Sequence, residues 1–229
     1  MSAPQLQIAI DGPVAAGKTT VARAVAQRLR ILYLDTGAMY RALAALALRT
    51  GTDVDNGAAL ARLMAACPIV VELDESARLG FRIFAGGSEL SEADLLGHDV
   101  TAIVSAVSAQ PEVRTEMVRA QQRIARGGSV VMAGRDIGSV VLPEAQVKIY
   151  LTASVEARVA RRRAQLQDAG VNVDARRLAE EIEERDRLDR TRAVSPLSIA
   201  PGAHVIDSSA VDAAHVVDEI CALAARAVR

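Results

Sequence analysis

Residues able to do chemistry gather near the start of the chain. Gly12-Pro13-Val14-Ala15-Ala16-Gly17-Lys18-Thr19 has the spacing G-x-x-x-x-G-K-[ST], with a second hydroxyl at Thr20. Glycines at both ends let the intervening backbone curl its N–H groups around an anion, and the positive end of a following helix adds to their attraction. Lys18 would then span the outer phosphates of a nucleoside triphosphate such as ATP, and the Thr19 hydroxyl would face a magnesium ion. The plain alternative is a glycine-containing turn ahead of a capped helix. Such a loop specifies a triphosphate without specifying what becomes of it.

A second polar group follows an apolar run. Val130-Val-Met-Ala133 ends in Gly134-Arg135-Asp136-Ile137-Gly138, which puts a guanidinium and a carboxylate side by side at the carboxyl end of a predicted strand, where a second polar ligand is commonly held. Guanine-reading switches carry Asn-Lys-x-Asp, which is absent, and large motor ATPases end an apolar strand in Asp or Asp-Glu, where this chain has Gly-Arg-Asp. Both classes are disfavoured against a small-molecule kinase. A base with an exocyclic amine beside ring acceptors needs a carboxylate together with cationic or hydroxyl donors. Asp136, Arg114 and Ser105 have those properties, and Arg114 reads equally well as an exposed helix arginine. Arg185 and Asp189 lie four residues apart on one helical face, which by itself would suggest an ordinary ion pair.

These residues need a frame. Leu6 to Ile10 reads as a strand, Thr19 to Leu29 as an Ala-rich amphipathic helix, Ile31 to Leu34 as a strand, and Asp35-Thr36-Gly37 as the entry to a helix ending near Thr50-Gly51. This alternation is the grammar of a parallel sheet covered by helices. A helix from Ala58 to Cys67 precedes Ile69 to Leu73 and Phe81 to Phe84, which alternate like antiparallel strands, with Gly86-Gly87 as a turn. Residues 68–98 read as an insertion. Helices resume at Asp99 and at Pro111 to Arg126, followed by strands at Ser129 to Ala133 and Val147 to Leu151. Two charged helices, Ser154 to Asp168 and Asp174 to Arg190, form a hairpin with ten arginines and nine carboxylates between Glu156 and Arg192, so most of its faces read as solvated. A strand at His204 to Ile206 and a helix from Asp212 to Ala227 close the pattern.

Bulk properties set the limits. The chain has 229 residues, 51% hydrophobic and 24% charged, as expected for a folded domain with an insertion. Net charge is -1, which disfavours nucleic-acid binding. No apolar run is long enough to span a bilayer, and Met1–Gln7 lacks the order of a signal peptide. Cys67 and Cys221 have no partners at ligand spacing, which favours a reduced, cytoplasmic setting. Of 27 cations only Lys18 and Lys148 are lysines.

Four stretches together resemble the nucleoside monophosphate kinases, and among them the bacterial cytidylate kinases: Ile10-Asp-Gly-Pro13, Leu34-Asp-Thr-Gly-Ala-Met-Tyr-Arg41, Gly134-Arg-Asp-Ile-Gly138 and Glu184-Arg-Asp-Arg-Leu-Asp-Arg-Thr-Arg192. The resemblance covers essentially the whole chain. It implies an α/β P-loop kinase fold over residues 1–229, with a central parallel sheet flanked by helices and a small antiparallel insertion. It further implies a monophosphate-binding region at 52–110 and a helical lid at 154–192. The implied reaction is transfer of the ATP γ-phosphate to CMP or dCMP, with magnesium, in a cytoplasmic enzyme expected to be monomeric. It places Asp136, Arg114 and Ser105 at the base, Arg41, Arg135 and Arg192 at the acceptor phosphate, Arg185 and Asp189 at the ribose, and Thr36 in the same pocket. Lys18, Arg135, Arg192 and the lid residues Arg161 and Arg162 would act on the transferring group. No histidine is assigned a catalytic role. The sequence departs from the family where Leu95-Leu-Gly-His98 replaces Ile-Arg-Thr, leaving the ribose preference open, and in the second threonine of Gly-Lys-Thr-Thr. The alternatives are a kinase of another monophosphate or of a small metabolite, and a non-catalytic module that senses triphosphate.

Overall fold

Val130 to Gly134 is buried at every position, as befits a strand covered on both faces of a parallel sheet. The structure, a computed structural model, describes residues 5–74, 77, 80–168 and 170–227. Residues 1–4 of the stretch read above for a signal peptide, and 75, 76, 78 and 79 of the insertion, lie outside the described residues. In chain order the elements are β1 (Gln7–Asp11), α1 (Lys18–Leu29), β2 (Leu32–Asp35), α2 (Thr36–Thr50), α3 (Gly57–Ala66), β3 (Ile69–Leu73), β4 (Phe81–Ala85), β5 (Ser88–Leu90), α4 (Glu92–Leu96), α5 (His98–Ala109) and α6 (Pro111–Ala125). Then follow β6 (Val130–Gly134), a π-helical turn (Ile137–Val141), β7 (Val147–Thr152), α7 (Val155–Asp168), α8 (Ala175–Thr191), β8 (His204–Asp207) and α9 (Ala213–Ala227).

Two units divide the chain, residues 1–31 with 129–229 and residues 32–128. In the first unit four parallel strands form a sheet in the order β6-β1-β7-β8, and the second unit opens on β2. Ile8, Ala9 and Ile10 are fully buried in β1, between β6 and β7. The register sets Asp11 opposite Gly134 on one side and Tyr150 on the other. Strands β1 and β6 therefore end together, β7 runs two residues further to Thr152, and their loops leave from one edge. Helix α1 lays Val21, Ala22, Val25 and Ala26 against the core, the stripe that its i, i+4 pattern predicts.

In the second unit, Asp35 caps α2 by accepting from the Gly37 amide at 2.9 Å. Helix α2 packs on α5, and α3 on α6, around Met39, Leu43, Leu60 and Met117. The antiparallel sheet β3-β4-β5 fills part of the expected insertion. Its β4–β5 turn is Gly86-Gly87 with φ of 59° and 79°, the pair of positive values that a tight hairpin of this kind requires. No described helix is long and apolar enough to cross a membrane.

Candidate active site

Strand β1 delivers the chain to Gly12, where only glycine fits: an added Cβ would lie 2.0 Å from the Leu151 carbonyl oxygen of β7. The loop bends through Ala15 at φ 59°, a left-handed conformation that costs a non-glycine residue about 1–2 kcal/mol. Gly17 at φ 92° then caps α1. Lys18 is buried, and its ammonium donates to the carbonyls of Gly12 at 2.8 Å and Pro13 at 2.6 Å. Thr19 and Thr20 are exposed on the first turn of the helix.

The α7–α8 hairpin is bolted to this loop. Arg158 of α7 and Asp186 of α8 are both buried and pair at 2.5 Å. Together they hold both sides of one residue of the loop. The Val14 amide donates to Asp186 at 3.3 Å, and Arg158 donates to the Val14 carbonyl at 3.2 Å. Arg161, one turn further on, donates to the Ser208 hydroxyl at 3.0 Å, to the Ser208 carbonyl, and to the Ala16 carbonyl at 3.5 Å. Arg161 therefore sits against the phosphate loop. Arg162 turns to Gln165 on its own helix at 3.4 Å and is not brought to the loop.

At the neighbouring strand end, the Asp11 carboxylate accepts from the Ile137 amide at 2.8 Å and the Gly138 amide at 2.7 Å. Burial pushes the Asp11 carboxyl up to about 6, although these two amides pull the other way. Arg135 donates through Nε to Asp189 at 2.7 Å. Arg192 Nη1 lies 3.5 Å from the other Asp189 oxygen, and its Nη2 lies 3.8 Å from Asp136. Burial would raise the Asp189 carboxyl, but the cations of Arg135, Arg192 and Arg185 hold it below its ordinary range. Arg135, Asp136, Asp189 and Arg192 thus form one cluster in the first unit, with Arg185 beside it.

The second unit holds the remaining candidates. Thr36 is buried at the start of α2. Arg41 donates to Thr101 at 3.0 Å and to the Leu95 carbonyl at 3.3 Å. Arg114 is 1% exposed, so the exposed-arginine reading does not hold. Its guanidinium donates to the Ser108 carbonyl at 3.1 Å and lies 5.3 Å from the centre of the Tyr40 ring, within cation–π range. Ser105 is half-buried on α5. Leu96 is 51% exposed. His98, His204 and His215 are all exposed. Sequence reasoning missed Asp11, Arg158, Asp186 and Ser208. The one signal available for Asp11 was a carboxylate closing the apolar run Ile8-Ala9-Ile10.

A glycine loop between strand and helix at the edge of a parallel sheet, with its lysine buried against the loop backbone, defines a P-loop kinase fold. A protein from Eubacterium ventriosum, its crystal structure described as that of an uncharacterized protein, shares the fold with a TM-score of 0.55 at 13% identity, over 97% of this chain and 99% of that one. Residues 8–226 match the family model described as cytidylate kinase. The cytidylate kinase of Pelotomaculum thermopropionicum is 46% identical over 215 residues, 94% of either chain. The bifunctional pantoate ligase/cytidylate kinase of Synechococcus sp. (strain JA-3-3Ab) is 47% identical over 216 residues, and this chain spans 40% of its length. The chain belongs to the cytidylate kinase family.

Two outcomes follow for stability. Asp11 holds its proton more tightly in the fold, at about 6, than at its ordinary 3.8. The native state therefore gains from this group at low pH and loses that gain, about 3 kcal/mol, as pH rises from about 4 to about 6. Denaturant unfolding of wild type and Asp11→Asn across pH 4–8 should show the stability difference moving in the variant's favour over that window and levelling off above it, whatever its starting value; a constant difference would contradict the burial argument. Asp186→Ala strands the buried Arg158, and urea titration should register a loss of about 3–5 kcal/mol. A loss below about 1 kcal/mol, the value of an exposed pair, would mean that the clamp does not hold.

Proposed function

We propose that this protein transfers the γ-phosphoryl group of ATP to CMP or dCMP, releasing ADP and CDP or dCDP. The observation that carries the reading is the Arg135–Asp136 turn at the strand end next to the phosphate loop, in a chain of this family. An oxygen of the acceptor phosphate forms the new bond to the γ-phosphorus as the bond to the β,γ-bridging oxygen breaks, and the pair leaves with ADP. A phosphate monoester is largely ionised near neutral pH, so no side chain need remove a proton. The work of the protein is to position the reactants and stabilise the charge spreading over the transferred group.

The loop from Gly12 to Gly17 and the N-terminus of α1 would grip the donor phosphates. Lys18 would exchange the carbonyls of Gly12 and Pro13 for phosphate oxygens. Arg161, already against Ala16, would add a second cation, and Arg162 would join it if the hairpin closes. An exposed hydroxyl at the start of α1 suits a hard cation that keeps most of its oxygen ligands from phosphate and water, so Thr19 would hold magnesium, whose charge offsets that on the donor oxygens. Arg41, Arg135 and Arg192 would recognise the acceptor phosphate, bidentate recognition being the strength of guanidinium. Arg185 and Asp189 would take the ribose, with Thr36 alongside. Asp136 would accept from the cytosine amine while Arg114 and Ser105 donate to its ring acceptors.

Residues 1–229 are read as one P-loop kinase domain, in which 52–110, with its insertion at about 68–98, binds the monophosphate and 154–192 is the lid. The clamp on Val14 pins the base of that hairpin, so its outer ends would do the closing and exclude water. The setting is the cytoplasm and the unit a monomer.

Coupled ADP release with CMP, dCMP, UMP, AMP and shikimate as acceptors tests the assignment. CMP and dCMP should be turned over best; preference for another acceptor, or none at all, would overturn it. Lys18→Ala should lower kcat by a factor on the order of 100 or more, comparable to losing a main electrostatic contact in the transition state, with the fold intact by circular dichroism. Full turnover in that variant would remove Lys18 from the reaction.

A further inference from the structure

We propose that Asp11 is a positioning residue for base selection: by capping the turn after Asp136 it leaves the Asp136 carboxylate to the acceptor base. This rests on the reading of Asp136 as the group that accepts from the cytosine amine.

The π-helical turn Ile137–Val141 begins immediately after Asp136. The first N–H groups of any helical turn lack partners within it, and an aspartate at the preceding position ordinarily supplies them from its own side chain. Asp136 occupies that position, with φ -141° and ψ 23°, yet makes no capping bond. The bonds come instead from the adjacent strand. Asp11 gives one carboxylate oxygen to the Ile137 amide and the other to the Gly138 amide. Relieved of that duty, Asp136 faces Arg192, 3.8 Å away, in the cluster that also contains Arg135 and Asp189.

The geometry leaves Asp11 no substitute. It ends β1 opposite Gly134 of β6, so its side chain is level with the start of the Gly-Arg-Asp turn, and it is 3% exposed. Two acceptor oxygens meet two donors. Asparagine would offer one oxygen and one NH2 group, which would confront an amide with another donor. The unsatisfied amide would then draw the Asp136 side chain back into the local cap it now avoids. A residue one step ahead of the donor loop would in this way govern which acceptor base is read.

The experiment compares kcat/KM for CMP and UMP in wild type, Asp11→Asn, Asp136→Ala and the double variant. Asp11→Asn should cut the CMP-to-UMP ratio about tenfold, the scale of one lost buried hydrogen bond, chiefly through KM for CMP, with KM for ATP changed less than about twofold. If Asp11 acts through Asp136, adding Asp11→Asn to Asp136→Ala should leave the ratio where Asp136→Ala alone puts it. An Asp11→Asn enzyme that keeps its ratio while Asp136→Ala loses it overturns the proposal. So do losses that multiply in the double variant, or a KM for ATP that rises as much as that for CMP. A wild type with no preference for CMP over UMP removes the reading of Asp136 and the proposal with it. If Asp11→Asn does not fold, Asp11→Ser, which discards the charge and keeps a small acceptor, is held to the same outcomes.

Discussion

Two parallel strands ending at one level, β6 and β1, with β7 running two residues past them on the other side of β1, impose the constraint on which the first unit depends. Their loops must leave the sheet within a few ångströms of one another, and the chain accommodates this by two devices at consecutive residues. Asp11 joins the exit of β1 to the turn after β6 through two buried hydrogen bonds. Gly12 passes so close to the Leu151 carbonyl that no side chain could be there. Neither loop can shift without breaking a bond or meeting a backbone atom. Phosphoryl transfer depends on placing two reactants rather than on a protein nucleophile, so this stiffness is what such chemistry requires. Its cost is a carboxylate buried where its charge is disfavoured, a familiar exchange of stability for a defined site.

The hairpin shows how little charge patterning reveals about charge placement. Arg176 with Glu180, Arg177 with Glu181 and Arg187 with Glu184 are exposed pairs at i, i+3 or i, i+4, each weakened by the solvent that screens it. Arg158 and Asp186 come from the same composition and are almost wholly buried. Asp186 is one turn from the exposed Glu183, and Arg158 one turn from the half-buried Arg162. The difference is that Arg158 and Asp186 find the carbonyl and the amide of Val14, and a buried ion pair is tolerated only when such extra hydrogen bonds complete it.

What was legible in the sequence was whatever depends on local backbone geometry. The glycine loop, the alternation of strand and helix, the Gly86-Gly87 turn and the cap of α2 by Asp35 all follow from residue types within a few positions of one another. The Arg135–Asp136 pair was visible because it ends an apolar run. Asp11 contributes to a turn 126 residues away, and Arg158 pairs across 28 residues; no window of sequence contains either relation. The π-helical turn escaped for the same reason, since its first amides are satisfied from another strand and the local sequence carries no effective cap. Arg114 could not be assigned from sequence because its burial is set by the aromatic face of Tyr40, which an arginine covers as readily as solvent does.

The same accounting explains why a cluster of arginines can wait beside the turn without tearing it apart. Arg135, Arg192 and Arg185 surround Asp189, with Asp136 alongside, so three guanidiniums face two carboxylates and one positive charge is in excess. Without the carboxylates, guanidiniums so poorly exposed would repel one another in a medium that screens weakly. With them, the cluster is stable and still attractive to an anion. Asp189 engages Arg135 through Nε, one edge of a group that carries five N–H donors, so a phosphate has donors to meet without first evicting the carboxylate. In the proposed reaction a doubly charged acceptor would change the balance from slightly positive to slightly negative, and the arriving γ-phosphoryl group would bring further negative charge for the guanidiniums to offset. The carboxylates therefore set the level from which the arginines would bind an anion.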